Sequence, residues 1–356
     1  MTDENAANRA PSGEPVAADQ RGRVLADGLG FPEGPVFEVD GSILVSEMAE
    51  GRVSRITGDR ARETVADVGG GPNGLARLAG GQLVVAQSGG SSWGIGPWPR
   101  PGPGSVDIFR PVGAPDQPLT PQVQVVGDDG RCSTLATTFR SLSGDVLPLS
   151  RPSDVTADAE GGFYLTDFGA VRGRSRDVTG VLHGTPDGEL AEVVFPLEMP
   201  NGVALSPDGT TLYVTETRTR RVWAFDVVRP GHLGAARSLQ TLPAGGPLAF
   251  GGADGLCIDP EGRIVAATLG IGGATVLDPG GAILGLVPLP DPLTTNGVGS
   301  PDGRTLIATL GSTGRVVAVD DWYDRLVPVG SAPFDRLVAT GTPVDIDGWR
   351  AVLAAP

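Results

Sequence analysis

Along most of this chain, apolar and polar positions alternate with a period of two, in short runs separated by Gly, Pro, Asp and Asn. That pattern predicts half-buried β-strands joined by tight turns, and almost no helix-period stretch interrupts it. In residues 253–267, Asp254-Gly255 opens the apolar run Leu256-Cys257-Ile258, Pro260-Glu261-Gly262 supplies a turn, and Ile264-Val265-Ala266 runs back. The same unit recurs at five further places, led by Glu33, Asn73, Ser153, Asn201 and Asn296. Each leads into its own Asp-Gly, Glu-Gly or Gly-Gly turn and a second strand. The leading residue stands seven positions before the turn in five units and six positions before it in the unit of Asn296.

Six units of one strand-turn-strand type predict an all-β fold, a six-bladed β-propeller. In such a ring the first strand of each unit lines the central channel, so the six leading side chains are expected to converge at one end of it. Third strands follow as 51–56, 221–226, 274–278 and 315–320, and outer strands as 192–195 and 283–287. The lone strand 23–29 precedes the first unit and is placed to complete the last blade, which would close the ring without a long unpaired edge. Unit starts are spaced 40, 80, 48, 53 and 42 residues apart, and only the second interval is out of line. Its excess reads as extended loops on the second blade at about 88–150, with 105–109 resembling that blade's third strand. These loops carry Trp93 and Trp98, which are expected either to wall a pocket at the channel mouth or to pack the loop onto the propeller. Residues 1–22 are polar and aperiodic and read as a disordered tail, leaving 23–356 as one domain.

Composition narrows the chemistry. Acidic residues outnumber basic ones 42 to 27, a net charge of −15, which disfavours nucleic acid as a partner and favours cations. No apolar run approaches the roughly 20 residues of a membrane span, and the N-terminus has no signal-type apolar stretch, so a cytoplasmic protein with no membrane partner is expected. Cys132 and Cys257 are too few for a disulfide framework. Only His183 and His232 are present, neither at a leading position, so a His-rich zinc site and a Ser-His-Asp triad find little support. Oxygen chemistry remains: carboxylates, amides and hydroxyls suit calcium, magnesium or manganese. Two carboxylates, Glu33 and Asp254, facing neutral amides in a dry channel would be costly unless a cation joined them. A structural plug held by hydrogen bonds is the other reading of the same six positions.

The chain resembles the six-bladed propeller family of senescence marker protein, gluconolactonase and luciferin-regenerating enzyme, with diisopropyl fluorophosphatase as a relative. The pieces that carry the resemblance are Glu33-Gly34-Pro35-Val36-Phe37, Pro200-Asn201-Gly202-Val203-Ala204 and Gly252-Ala253-Asp254-Gly255, in that order. The resemblance implies a channel metal site in which Glu33, Asn201 and Asp254 bind one divalent cation, calcium first, with zinc, manganese or magnesium as alternatives. It further implies a lactonase or esterase-type hydrolase acting on a small molecule. Arg151-Pro152-Ser153-Asp154 resembles the segment that carries a substrate-binding Arg and an Asn-Asp pair, with Ser153 standing where Asn is expected. Glu33, Asn201 and Asp254 are therefore the expected catalytic set, Asp254 as general base or water-orienting group. Arg151, Ser153, Asp154, Asn73, Asn296 and Trp93 are the expected substrate contacts. Ser153 and the aromatic loops predict a substrate larger and less polar than a simple sugar lactone. A cyclase or isomerase on the same floor, and a non-catalytic binding module, are the alternatives; the oligomeric state is not legible.

Overall fold

A computed structural model describes residues 22–58, 60–99, 105–244 and 252–329, and it is a six-bladed β-propeller. The expected tail, residues 1–21, lies outside the described residues, as do 330–356. The inner strands of blades 1 to 6 are Pro32–Phe37, Pro72–Arg77, Pro152–Ala157, Pro200–Leu205, Ala253–Ile258 and Thr294–Gly299. Each pairs antiparallel with the strand that follows its turn, and four-stranded sheets result for blades 1, 2, 4, 5 and 6. Arg23–Ala26 pairs with Arg315–Asp320 as the outermost strand of blade 6, so the ring closes as the sequence predicts. No helix of the described residues is long and apolar enough to cross a membrane.

The period-2 alternation buries both faces of the central strands, because each blade packs against two neighbours. Six clusters of buried apolar side chains each fill one gap between adjacent blades. Between blades 2 and 3, for example, Val84 and Val123 meet Val155, Phe163 and Leu182. At roughly 25 cal/mol per Å² of apolar area, this repeated interface is the main source of stability.

The described part of 88–150 is largely β-structured rather than loops. Ser92–Pro99 and Ser105–Gly113 form a separate hairpin, so 105–109 is not a third strand. Gln122–Val126 takes that place in blade 2, beside Leu83–Gln87. The alternation of Val106, Ile108 and Arg110 had the right period for a blade strand. Instead, Ile108 and Phe109 pack with Phe31, Met48 and Leu293 in a seventh cluster. A second hairpin, Thr138–Arg140 with Val146–Pro148, extends blade 3 to six strands through one parallel bridge, Arg140 to Ala191.

Candidate functional site in the channel

All six inner strands carry a register shift beside their leading residue: between Glu33 and Val36, Pro72 and Leu75, Pro152 and Val155, Pro200 and Val203, Ala253 and Leu256, and Thr294 and Asn296. A β-bulge re-aims the local side chain, and repeated around the ring it turns the leading residues inward. The Gly that follows the leading residue is required by the crowding that results. A Cβ on Gly74 would overlap Asp154, and one on Gly255 would overlap the Asn296 amide. The X-Gly pairs therefore mark close approach of strands at the axis, not hairpin turns.

Glu33, Asn73, Ser153, Asn201 and Asp254 come together on the floor of one cavity of about 600 Å³. Arg151 stands on its wall, with Phe31, Met48 and Phe168 among the apolar lining. A directed chain of hydrogen bonds crosses the floor. Asn73 Nδ2 donates to Ser153 Oγ (3.3 Å), Ser153 Oγ to Asn201 Oδ1 (2.9 Å), and Asn201 Nδ2 to Asp254 Oδ1 (2.6 Å). Asp154 and Asn296 lie one layer lower and line a second cavity of about 420 Å³ at the other end of the channel. There Asn296 Nδ2 donates to Asp154 Oδ2 (3.3 Å). Asn296 sits lower because it is not in the leading register: Thr294 pairs with Leu310 as Pro200 pairs with Glu216, so Thr295, seven residues before its turn, holds the leading position, and Asn296, like Asp154, is the residue after it. Trp93 stands behind the wall rather than on it, 4.8 Å from the Phe31 ring and 5.6 Å from that of Phe109. The Trp98 side chain lies outside the described residues.

Hydroxyl groups in the second strands fix the backbone of this floor. Ser46 Oγ donates to Asn73 O (2.5 Å), Thr215 Oγ1 to Asp254 O (2.5 Å), and Thr166 Oγ1 to Asn201 O, each from one blade to the next. Sequence reasoning missed this set, although Ser46, Thr166, Thr215 and Thr309 recur next to last in four second strands. It also missed Thr217, whose hydroxyl accepts from Asn201 Nδ2 (3.1 Å), and Arg110, which the hairpin brings to the cavity wall.

Three carboxyls sit in this channel without a cationic partner among the described residues. Burial, with the negative charges of Asp254 and Asp154 close by, raises the Glu33 carboxyl well above its ordinary range. Burial and the charge of Asp154 raise Asp254 likewise, against the Asn201 hydrogen bond. Asp154 is pushed up to about 6, chiefly by burial. Such a set holds its negative charge only with difficulty, and a cation is what would relieve it. Carboxylate and amide oxygens are hard donors of the kind calcium and magnesium take. Rotating the Asn201 amide by half a turn would present its oxygen on the Asp254 side. Ser153 serves either orientation, since a hydroxyl both donates and accepts. Among the described residues no group of three or more His, Cys, Asp or Glu is arranged to hold a metal ion, so a site here needs the amide as well as the two carboxylates.

A sequence model of the SMP-30/Gluconolactonase/LRE-like region matches residues 31–312. The chain belongs to this family. Lactonase drp35 of Staphylococcus saprophyticus is 33% identical over 144 residues, 38% of this chain and 41% of that protein. The chain thus spans about two fifths of the length of this curated relative. A gluconolactonase of Xanthomonas campestris superposes with a TM-score of 0.64 at 24% identity, covering 83% of this chain and 88% of that one. Regucalcin of Agrobacterium tumefaciens, described as a calcium-binding protein, gives 0.62 at 20% identity over 84% and 92%. At these identities the two solved structures show the fold, and the family membership rests on the sequence match.

Proposed function

We propose that this chain is a divalent-cation-dependent lactonase. The observation that carries the proposal is the convergence of Glu33, Asn201 and Asp254 on one cavity floor, both carboxyls buried and raised in pKa by burial and by neighbouring negative charge. Membership of the SMP-30/gluconolactonase family and the likeness to drp35 support it. Glu33, Asn201 and Asp254 would hold the cation. Calcium is the first candidate, given the hard oxygen donors and the calcium-binding structural neighbour.

A divalent cation bound there supplies Lewis-acid polarisation of a lactone carbonyl and acidifies a bound water. With the cation bound, the Asp254 carboxylate would orient that water and take up its proton. In the metal-free floor Asn201 Nδ2 donates to Asp254 (2.6 Å) and Thr217 (3.1 Å); with its amide turned over, its oxygen would face the cation and Ser153 Oγ would accept from Nδ2 instead. Arg151 donates to the substrate's polar groups or to the oxygen on which charge develops. The apolar wall excludes water from the other side of the substrate and favours ligands larger than a simple sugar lactone.

The test is hydrolysis of gluconolactone and of bulkier aryl and alkyl lactones, first in chelator and then with calcium, magnesium, manganese or zinc restored. Hydrolysis that depends on the cation and is lost in Asp254→Ala is expected. Equal rates in chelator, or in Asp254→Ala, would overturn the proposal.

A further inference from the structure

Four arginines, Arg110, Arg151, Arg172 and Arg218, line the cavity, and none is used by the cation floor. Arg151 precedes the inner strand of blade 3, and Arg110 lies on the hairpin strand Ser105–Gly113; both line the same cavity as Glu33 and Asp254. The hairpin base joins them, because Arg151 Nη2 donates to Ser91 Oγ (2.7 Å), next to the first hairpin strand. Neither forms an ion pair among the described residues. Arg172, on the same lining, shows the contrast: its Nη1 donates to Asp177 Oδ1 (2.6 Å) and its Nη2 to Oδ2 (3.0 Å). Arg110 is still less satisfied. Its Nε is buried without a hydrogen-bond partner, and Nη1 reaches the backbone oxygen of Pro111 (3.1 Å). Burial lowers the Arg151 pKa, the mark of a cation that lacks a counter-charge. Such a group is costly unless something supplies the missing partner.

We propose that the ligand of this cavity is a small molecule bearing an oxyanion, received by the paired forks of Arg110 and Arg151. A guanidinium presents parallel N–H donors that match a carboxylate or phosphate, and Arg110 has such donors to spare. The inference rests on the reading of this cavity as the substrate site and adds the substrate class: a lactone that carries a second, charged group. Arg110 is then a specificity-determining residue contributed by the hairpin, which the six-fold repeat itself does not contain.

The experiment measures binding by calorimetry in chelator, so that neither a metal nor turnover is needed, using hexanoate, hexyl phosphate and neutral hexanol as probes. At least one anion should bind tenfold or more tightly than hexanol, weaken as salt is raised, and lose about tenfold in affinity in Arg110→Gln and Arg151→Gln. Whichever anion binds more tightly names the group. Arg110→Lys keeps the charge without the fork and should lose part of the affinity, and the salt dependence of the unaltered protein needs no variant to fold. Hexanol binding as well as both anions, or anion affinity untouched by salt and by both substitutions, would overturn the inference. In the loaded protein, the kcat/KM ratio for a lactone carrying a carboxylate over its methyl ester should fall at least tenfold in Arg110→Gln. If anions bind as expected while no lactone is hydrolysed, the lactonase reading fails alone. If lactones are hydrolysed with no preference for the charged form, this inference fails alone.

Discussion

Replacing Asp254 by Asn should stabilise the metal-free protein and at the same time abolish its response to calcium. In the metal-free fold the Asp254 carboxyl is buried, raised in pKa, and itself raises Glu33. A carboxyl whose folded pKa lies above its ordinary value of 3.8 destabilises the fold at neutral pH. The cost has a ceiling, because the group takes a proton instead: from 3.8 to pH 7 that is about 4 kcal/mol, at ~1.4 kcal/mol per unit. An amide of the same shape removes the cost and keeps an oxygen toward Asn201 Nδ2, but its N–H₂ replaces the second carboxylate oxygen and needs an acceptor of its own, so part of the gain is returned. A net gain of about 1–4 kcal/mol is expected, raising Tm by roughly 2–8 °C in a domain of this size. The unaltered protein should instead gain ~2.7 kcal/mol from calcium at a hundred times its Kd, and Asp254→Asn almost nothing. Differential scanning fluorimetry of both proteins, in chelator and in calcium, gives all four numbers. A variant that melts lower than the unaltered protein in chelator, or that calcium still stabilises to the same extent, would refute the reasoning.

Acidification tests the same electrostatics through Asp154. Its pKa of about 6 against an ordinary 3.8 means that its stabilising contribution is complete below pH 3.8 and is lost as pH rises through 6. The metal-free protein should therefore lose about 3 kcal/mol from this group over that window. Urea titrations should show the loss shrink in Asp154→Asn, and an unchanged slope would contradict the assignment. Because Glu33 and Asp254 must shed protons to hold a cation, calcium affinity should rise with pH, which calorimetry in buffers of different ionisation heat can check. Arg151→Gln should raise KM tenfold or more while leaving the calcium Kd within about twofold, since a cationic side chain is no metal ligand; parallel losses would remove Arg151 from its role. Ser153→Ala removes the donor to Asn201 Oδ1 and the acceptor for Asn73, at about 1 kcal/mol per hydrogen bond, so calcium binding should weaken roughly five- to thirtyfold. Unaltered affinity would show that the hydrogen-bond chain does not position Asn201.

The ring, its closure by 23–26 and the convergence of five of the six expected residues were legible because one pattern was written six times. Each copy repeats a strand, an X-Gly turn and a returning strand, and six-fold repetition separates signal from chance in a way that a single Asn-Gly does not. The layering of the floor was not legible. Whether a side chain faces the upper or the lower cavity depends on whether it holds the leading position or the one after it. Asn296 and Asp154 both stand six residues before their turns rather than seven, in the slot that Gly holds in the other units, and that was the hint. The hairpin 92–113 was misread because alternation reports that one face is buried, not what buries it. Trp93 does pack the hairpin onto the propeller, through a tilted contact with Phe31, and Phe31 is the side chain that reaches the cavity.

The floor itself is polarised, and this bears on how a substrate would lie. From blade 2 to blade 5 the donors all point one way, Asn73 to Ser153 to Asn201 to Asp254, so the chain of hydrogen bonds ends on a carboxylate. The next carboxylate round the ring is Glu33 on blade 1, and the Asn296 amide of blade 6 turns downward to Asp154. Negative charge thus collects toward blades 5, 6 and 1. The cationic groups are spread round the wall above that floor: Arg151 and Arg172 on blade 3, Arg218 on blade 4, and Arg110 on the hairpin whose Ile108 and Phe109 pack over blades 1 and 6. A ligand with an electrophilic carbonyl at one end and an oxyanion at the other satisfies floor and wall at once, whereas a neutral polyol satisfies neither Arg110 nor Arg151. The same residues that make the floor a cation site therefore also orient the ligand across it.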